Sequence, residues 1–191
     1  MQPPEGPQQS AGEVSEPSDA ALIARWQRGD QLAAAALVSR HAPALARFAA
    51  SCGVREQLDE LVQDTFVRAF GSLDGFRADS TLRTWLFTIL RRLVLDRTRV
   101  DKRRRDDTEL DEGQAVEEYN ALDALVADET ALRVRAGVAR LSPLQREVFT
   151  LRVTEGMAYS DIAQLVGSTE GACRVHYHNA VRSVRGFLHD A

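Results

Sequence analysis

A single glycine, Gly167, stands between two helical patterns, YSDIAQLVG (159–167) and STEGACRVHYHNAVRSVRGFL (168–188). Ala163 lies four residues before it and Cys173 six after it. This spacing lets two helices cross closely: a small residue at the contact, a glycine free to take a left-handed angle, and an apolar residue returning to the core. It is the layout of a DNA-binding helix-turn-helix.

The second helix divides into two faces. Cys173, Tyr177, Ala180, Val184 and Leu188 follow a helical spacing and form an apolar stripe. Arg174, Val175, His178, Asn179, Arg182 and Arg185 fall on the other side. All but Val175 carry a polar head, as base edges in the major groove require. The competing reading is an amphipathic surface helix with solvated arginines, and this helix alone does not separate the two.

The chain as a whole narrows the choice. Its 191 residues suffice for one ordinary domain or two small ones. A composition rich in Ala and Leu with few glycines favours an all-α protein. The two cysteines, Cys52 and Cys173, lie far apart, so neither a disulfide scaffold nor a zinc site is expected, and a cytoplasmic setting fits. His41, His176, His178 and His189 form no metal spacing with them. With no nucleophile, base and acid grouped together, the expectation is no catalysis, no cofactor, no metal and no small-molecule substrate. No run approaches membrane-spanning length, and the N-terminus lacks the charge-then-apolar pattern of a signal peptide.

The net charge of −4 argues at first against nucleic acid. Its distribution argues the other way. Nine basic residues lie between Arg83 and Arg105, opposed only by Asp96 and Asp101. Ten acids and no Lys or Arg follow between Asp106 and Glu129. Local fields, not totals, steer a phosphate backbone.

Four of the six prolines fall in residues 1–18, which are too polar to bury a core and are expected to be a disordered tail. Helical patterns then run over 19–29 (DAALIARWQRG), stopping at Gly29, and from about 31 to 50, with Leu32, Ala36 and Leu37 inward and Pro43 as a kink or break. A third pattern spans about 57–70, stopped by Gly71. A fourth begins near Ser80 and carries Trp85, Leu86, Ile89, Leu90 and Leu93 on one face. After a weakly periodic acidic stretch, helix resumes near Glu129. Ser142-Pro143-Leu144-Gln145 is a strong helix start, with Ser as N-cap, Pro first and Gln closing a capping box. The organisation is two small helical domains, 19–100 and 129–191, joined by a flexible basic-to-acidic linker over 101–128.

Three segments taken together resemble a known family: DELVQDTFVRAF (59–70), FRADSTLRTWLFTILRRLVLDRTR (76–99) and ARLSPLQREVFTLRVTEGMAYSDIAQLVGSTEGACRVHYHNAVR (139–182). They are similar, in order, to bacterial sigma factors of the extracytoplasmic-function group of the sigma-70 family, which keep only regions two and four. The resemblance implies a factor that binds core RNA polymerase and directs promoter-specific initiation. It implies contacts with the clamp of the largest subunit and the flap region, with promoter DNA, and with an anti-sigma factor that is often membrane-anchored.

The resemblance also assigns residues. The helix bearing Asp59, Glu60, Gln63, Asp64 and Phe66 corresponds to the surface that docks on core polymerase, and acidic and amide groups suit a basic partner. The 76–99 segment corresponds to the part that melts and reads the −10 element. There Asp79, Ser80 and Thr81 can hydrogen-bond a flipped base, while Arg83, Arg91 and Arg92 can hold phosphates. Trp85 can stack on a base or anchor the core; its spacing with Ile89 and Leu93 favours the core. Region four implies −35 contacts from Thr169, Glu170, Arg174, Val175, His178, Asn179 and Arg182, with Arg174 foremost.

Departures from the family pattern bear on specificity. Arg92 stands where Asn is frequent, and bidentate Arg prefers guanine where Asn suits adenine. Ala172 and Cys173 replace a usual Thr-Val pair, and Val175, His176 and Asn179 replace Ser, Arg and Arg. The recognition helix is thus less basic than usual. The acidic linker resembles the stretch that threads toward the polymerase cleft; it is equally readable as a solvated tether. One rival function is an interaction protein that sequesters a basic partner through the acidic stretch, with the arginine-rich faces dispensable; the other is a polymerase-independent helix-turn-helix regulator. Such a protein needs a dimer interface for a two-fold site, and no spare apolar helix is evident.

Overall fold

Several helix starts and stops follow local chemistry in the computed structural model, which describes residues 16–54, 56–73, 76, 80–107 and 129–189. Eight helices and no strand occur among them, as an all-α expectation requires. By contact density the chain divides into two units, 1–38 and 39–191, with the boundary inside the second helix. The tail over 1–15 and the acidic stretch over 108–128 lie outside the described residues.

In the first unit, α1 (Asp19–Gln27) begins where the Ser18 hydroxyl accepts from the Ala21 amide at 3.2 Å. It ends two residues before Gly29, whose φ of +93° few other residues tolerate. Asp30 then opens α2 (Gln31–Ser51). Its Oδ1 accepts from the Leu32 and Ala33 amides, and its Oδ2 from Arg25 Nε at 2.9 Å. Leu22, Ala33 and Leu37 are buried. The expected inward set therefore needs correcting: Leu32 is 77% exposed, and Ala36 is only half-buried. A shift of one position turns a helical side chain by about 100°, so Ala33 with Leu37 is the true i,i+4 pair. Pro43 does not break α2; it sits on the exposed side of an unbroken helix.

In the second unit, α3 (Leu58–Gly71) packs along α4 (Leu82–Asp107). Phe48 and Phe87 meet edge to face at 5.3 Å between centroids, both fully buried. The buried line of α4 runs through Leu82, Leu86, Leu90, Leu93 and Val94. Trp85 and Ile89, expected on the core face, are only half-buried. The Trp85 ring lies 5.0 Å from that of Phe76. The helix also runs past residue 100, through Arg103 to Asp107. Arg and Lys are good helix formers, so a basic run extends a helix already nucleated by its packed half.

The C-terminal helices are α5 (Glu129–Ala139), α6 (Pro143–Val153), α7 (Tyr159–Val166) and α8 (Glu170–His189). The capping box forms at α6: Ser142 Oγ accepts from the Gln145 amide, and Gln145 Oε1 from the Ser142 amide. Gly167 takes a φ of +70°, and the Ser168 amide donates back to the Ala163 carbonyl at 2.9 Å. The α8 stripe turns inward at Cys173, Ala180 and Val184; Tyr177 and Leu188 border it. Leu141, Ala180 and Val184 form a core on which Val138, Phe149 and Leu188 pack. Gly137 lets α5 approach α8: a Cβ there would lie 3.1 Å from the Phe187 ring.

Candidate nucleic-acid and polymerase interface

Amphipathic spacing turns Leu61, Val62, Thr65, Phe66 and Ala69 of α3 into the core and leaves Asp59, Glu60, Gln63 and Asp64 exposed on the opposite face. Phe66, expected among the contact residues, belongs to the buried side at 5% exposure, with its ring 5.8 Å from Phe70. The apolar residue on the outward face is Val67, 63% exposed, which sequence reasoning passed over. The helix starts at Gln57, the one non-glycine described residue with positive φ, and Arg97 donates to its side-chain oxygen.

At the head of α4, the Thr81 hydroxyl accepts from the Thr84 amide at 3.1 Å and pairs with the Thr84 hydroxyl at 2.9 Å. Ser80 precedes it; Asp79 lies outside the described residues. Arg83, Phe87 and Arg91 follow a four-residue spacing and so share one helical face. Arg92 is exposed a step around the helix.

Arg83 and Arg91 are not free cations. Arg83 Nη2 donates to Glu155 Oε2 at 2.5 Å and to the Glu155 carbonyl at 3.3 Å. Arg47, from α2, donates to the same carboxylate through Nε and Nη2, each at 3.3 Å. Arg91 Nε donates to Glu147 Oε2 at 2.6 Å. The Glu155 side chain is wholly buried, so its charge depends on these partners. Neither glutamate nor Arg47 was singled out in the sequence. Glu155 pairs with residues 72 and 108 positions away, and no local pattern announces that.

On α8, Thr169, Glu170, Arg174, Val175, His178 and Arg182 are all exposed; Asn179 is half-buried. Thr169 Oγ1 accepts from the Ala172 amide at 3.2 Å, so its side chain caps the helix. Arg174 donates to Glu170 at 2.8 Å, and its guanidinium lies 5.1 Å from the Tyr159 ring centroid. Arg152 approaches the same ring at 4.9 Å and donates to the Met157 carbonyl at 2.8 Å. Tyr177 meets Tyr159 edge-on at 6.1 Å and stacks with Phe149 at 6.3 Å. In the sequence Tyr159 is one position of a helical pattern; the ring becomes a platform only where α7 and α8 cross.

The two thiols are unsuited to chemistry. Burial, reinforced by the Glu147 charge, pushes Cys52 up to about 12. Burial, with Glu170 second, also raises Cys173. A thiol held in its neutral form is a poor nucleophile and a poor metal ligand. Among the described residues no helix is long and apolar enough to cross a membrane.

An all-helical chain with a helix-turn-helix at one end and an arginine-bearing helix upstream defines a nucleic-acid-binding class of protein. Comparison with known proteins narrows it. Residues 37–104 match the model of sigma-70 region 2, and residues 131–184 that of sigma-70 region 4. The RNA polymerase sigma factor CnrH of Cupriavidus metallidurans is 35% identical over 80% of this chain and 84% of its own. The extracytoplasmic-function sigma factor EcfG of Rhodopseudomonas palustris is 32% identical over 77% and 80%. Among solved structures, CnrH in complex with the cytosolic domain of CnrY aligns with a TM-score of 0.67 at 29% identity, covering 90% of this chain and 97% of that one. The sigma factor RpoE in complex with the anti-sigma factor NepR, from Bartonella quintana, aligns at 0.66 and 27%, covering 79% and 93%. The chain belongs to the sigma-70 family, in its extracytoplasmic-function group.

Proposed function

We propose that this chain is a sigma factor that binds core RNA polymerase and directs promoter-specific initiation under the control of an anti-sigma factor. The carrying observation is that both sigma-70 regions occur in order, within a chain that aligns along most of CnrH. The exposed polar face of α3, with Asp59, Glu60, Gln63 and Asp64, is assigned to the polymerase clamp, and the C-terminal helices to the flap region. Ser80, Thr81, Arg83, Trp85, Arg91 and Arg92 are assigned to the −10 strand. Thr169, Glu170, Arg174, Val175, His178, Asn179 and Arg182 are assigned to the −35 duplex. Anti-sigma control is supported by the two solved relatives, which were captured with CnrY and with NepR. The factor acts in the cytoplasm with the polymerase and performs no covalent chemistry of its own.

Direct readout gives these assignments a mechanism. Arg174 is exposed on the polar side of α8, where a guanidinium can span two acceptors on a guanine edge. Phosphate contacts fix register, and base contacts specify. The test is transcription by core polymerase on a pool of promoter fragments, with and without the protein. Discrete new transcripts that weaken when Arg92 and Arg174 are both changed to Ala support the assignment. No transcripts and no co-migration with core enzyme would remove it.

A further inference from the structure

The carboxylates of Glu147 and Glu155 are in an unusual position. Among the described residues, each is bonded to arginines of α2 or α4 and not to its own helical neighbours. Glu155 sits in the turn between α6 and α7, and its side chain has no exposure; that of Glu147 has 10%. Buried carboxylates normally serve the bundle that contains them. These two instead serve a surface contributed by residues 47–91, against which α7 packs.

The arginines on that surface are held but not saturated. Arg83 and Arg47 share one carboxylate, and Arg83 Nε is buried without an acceptor among the described residues. A guanidinium has five donors, and phosphate oxygens match its geometry at least as well as carboxylate does. Arg83 and Arg91 are also the cations that the proposed −10 reading assigns to phosphates.

We infer that Arg47, Arg83 and Arg91 form one anion-docking face with two alternative occupants: the chain's own Glu147 and Glu155, and the phosphates of single-stranded DNA. The inference rests on the proposed promoter reading for its second occupant. While the carboxylates are seated, two of the three positive charges on the face are offset and the C-terminal helices are held against α4. Strand binding displaces them, and loss of the carboxylates alone frees the face. Substituting one partner of a buried pair is strongly unfavourable to the paired state, because it strands the other charge.

The test compares full-length wild type with the double variant Glu147→Gln, Glu155→Gln. A second variant, Glu56→Gln with Glu129→Gln, removes the same charge from exposed positions. Small-angle scattering reads the radius of gyration, and anisotropy reads affinity for a fluorescein-labelled mixed-sequence single strand. Circular dichroism confirms that helix content is kept. The expected result is an expanded double variant that binds the strand at least tenfold more tightly, with the control within twofold of wild type. Unchanged size with unchanged affinity overturns the inference. Expansion without an affinity gain overturns it too, since the face would then not be shared. Transcription by wild type with core polymerase reads the sigma assignment separately, so the two failures are distinguishable.

Discussion

The Arg174 guanidinium lies 5.1 Å from the centre of the Tyr159 ring, while Arg152 approaches that ring at 4.9 Å. Two cations therefore share one aromatic side chain at the start of α7. Glu170 also pairs with Arg174 at 2.8 Å, so the residue proposed foremost for −35 contact is restrained before DNA arrives. Restraint lowers the side-chain entropy lost on binding.

Removing the platform is expected to weaken −35 use without unfolding the protein. An exposed cation–π contact is worth about 0.5–1 kcal/mol, so Tyr159→Ala should reduce promoter affinity of the holoenzyme by roughly two- to fivefold. Tyr159→Phe keeps the ring face and should stay near wild type. Filter binding of holoenzyme to promoter DNA checks both, and equal losses in the two variants would assign the effect to the hydroxyl instead.

Asp30 should make the first helical pair sensitive to acid. Its carboxyl is held below the ordinary value chiefly by the bond from Arg25, then by the Ala33 amide among the stabilising contacts. A depressed folded-state value means the stabilisation is present above the unfolded-state value and lost as pH falls through the folded one. Wild type should melt above Asp30→Asn at pH 7, and the gap should close on acidification. Paired thermal melts from pH 7 to 3 give the answer; a constant gap would show that the charge is not responsible.

Cys52 carries the opposite sign. Its folded-state value is pushed up to about 12, so the neutral thiol is favoured in the native protein. That contribution is full below the ordinary cysteine value and declines as pH rises toward 12. Iodoacetamide should label Cys52 slowly at pH 8 in native protein and quickly once urea unfolds it. Equal rates would mean that the thiol is already open. The wild-type advantage in melting over Cys52→Ala should shrink between pH 9 and 11.

The capping box at α6 gives a local prediction. Ser142→Ala removes an N-cap acceptor and should cost about 1 kcal/mol. For a chain of this size, that is a fall in Tm of roughly 2–4 °C. Ser142→Asp, which can still accept from the Gln145 amide, should recover most of it. Calorimetry of the three proteins is sufficient.

Where sequence and structure agree, the signals are local. Ser142 with Gln145, the helix stop at Gly29, the left-handed Gly167, and the Cys173, Ala180 and Val184 stripe each depend on residues within a turn or two of helix. The disagreements have a common origin. Spacing puts Leu32 inward where Ala33 is the buried residue, and the family resemblance puts Phe66 at a partner surface although its ring is buried. Periodicity says that a helix has an apolar side; it does not fix within a residue where that side points, because neighbouring helices set the angle. The extension of α4 to Asp107 is similar, since a basic run with no apolar stripe looks like linker until the helix before it is anchored.

The sequence by itself determined where most helices lie, the capping box at Ser142, the helix-turn-helix and the order of the two sigma regions, because each is written in contacts at short range or in motifs several residues long. Only the tertiary structure decided that Tyr159 supports Arg174, and that Glu155 is buried between Arg47 and Arg83 while Glu147 holds Arg91. Ion pairs between residues 56 to 108 positions apart have no periodic signature. They exist because packing removes water from a carboxylate and leaves distant guanidinium groups as its partners.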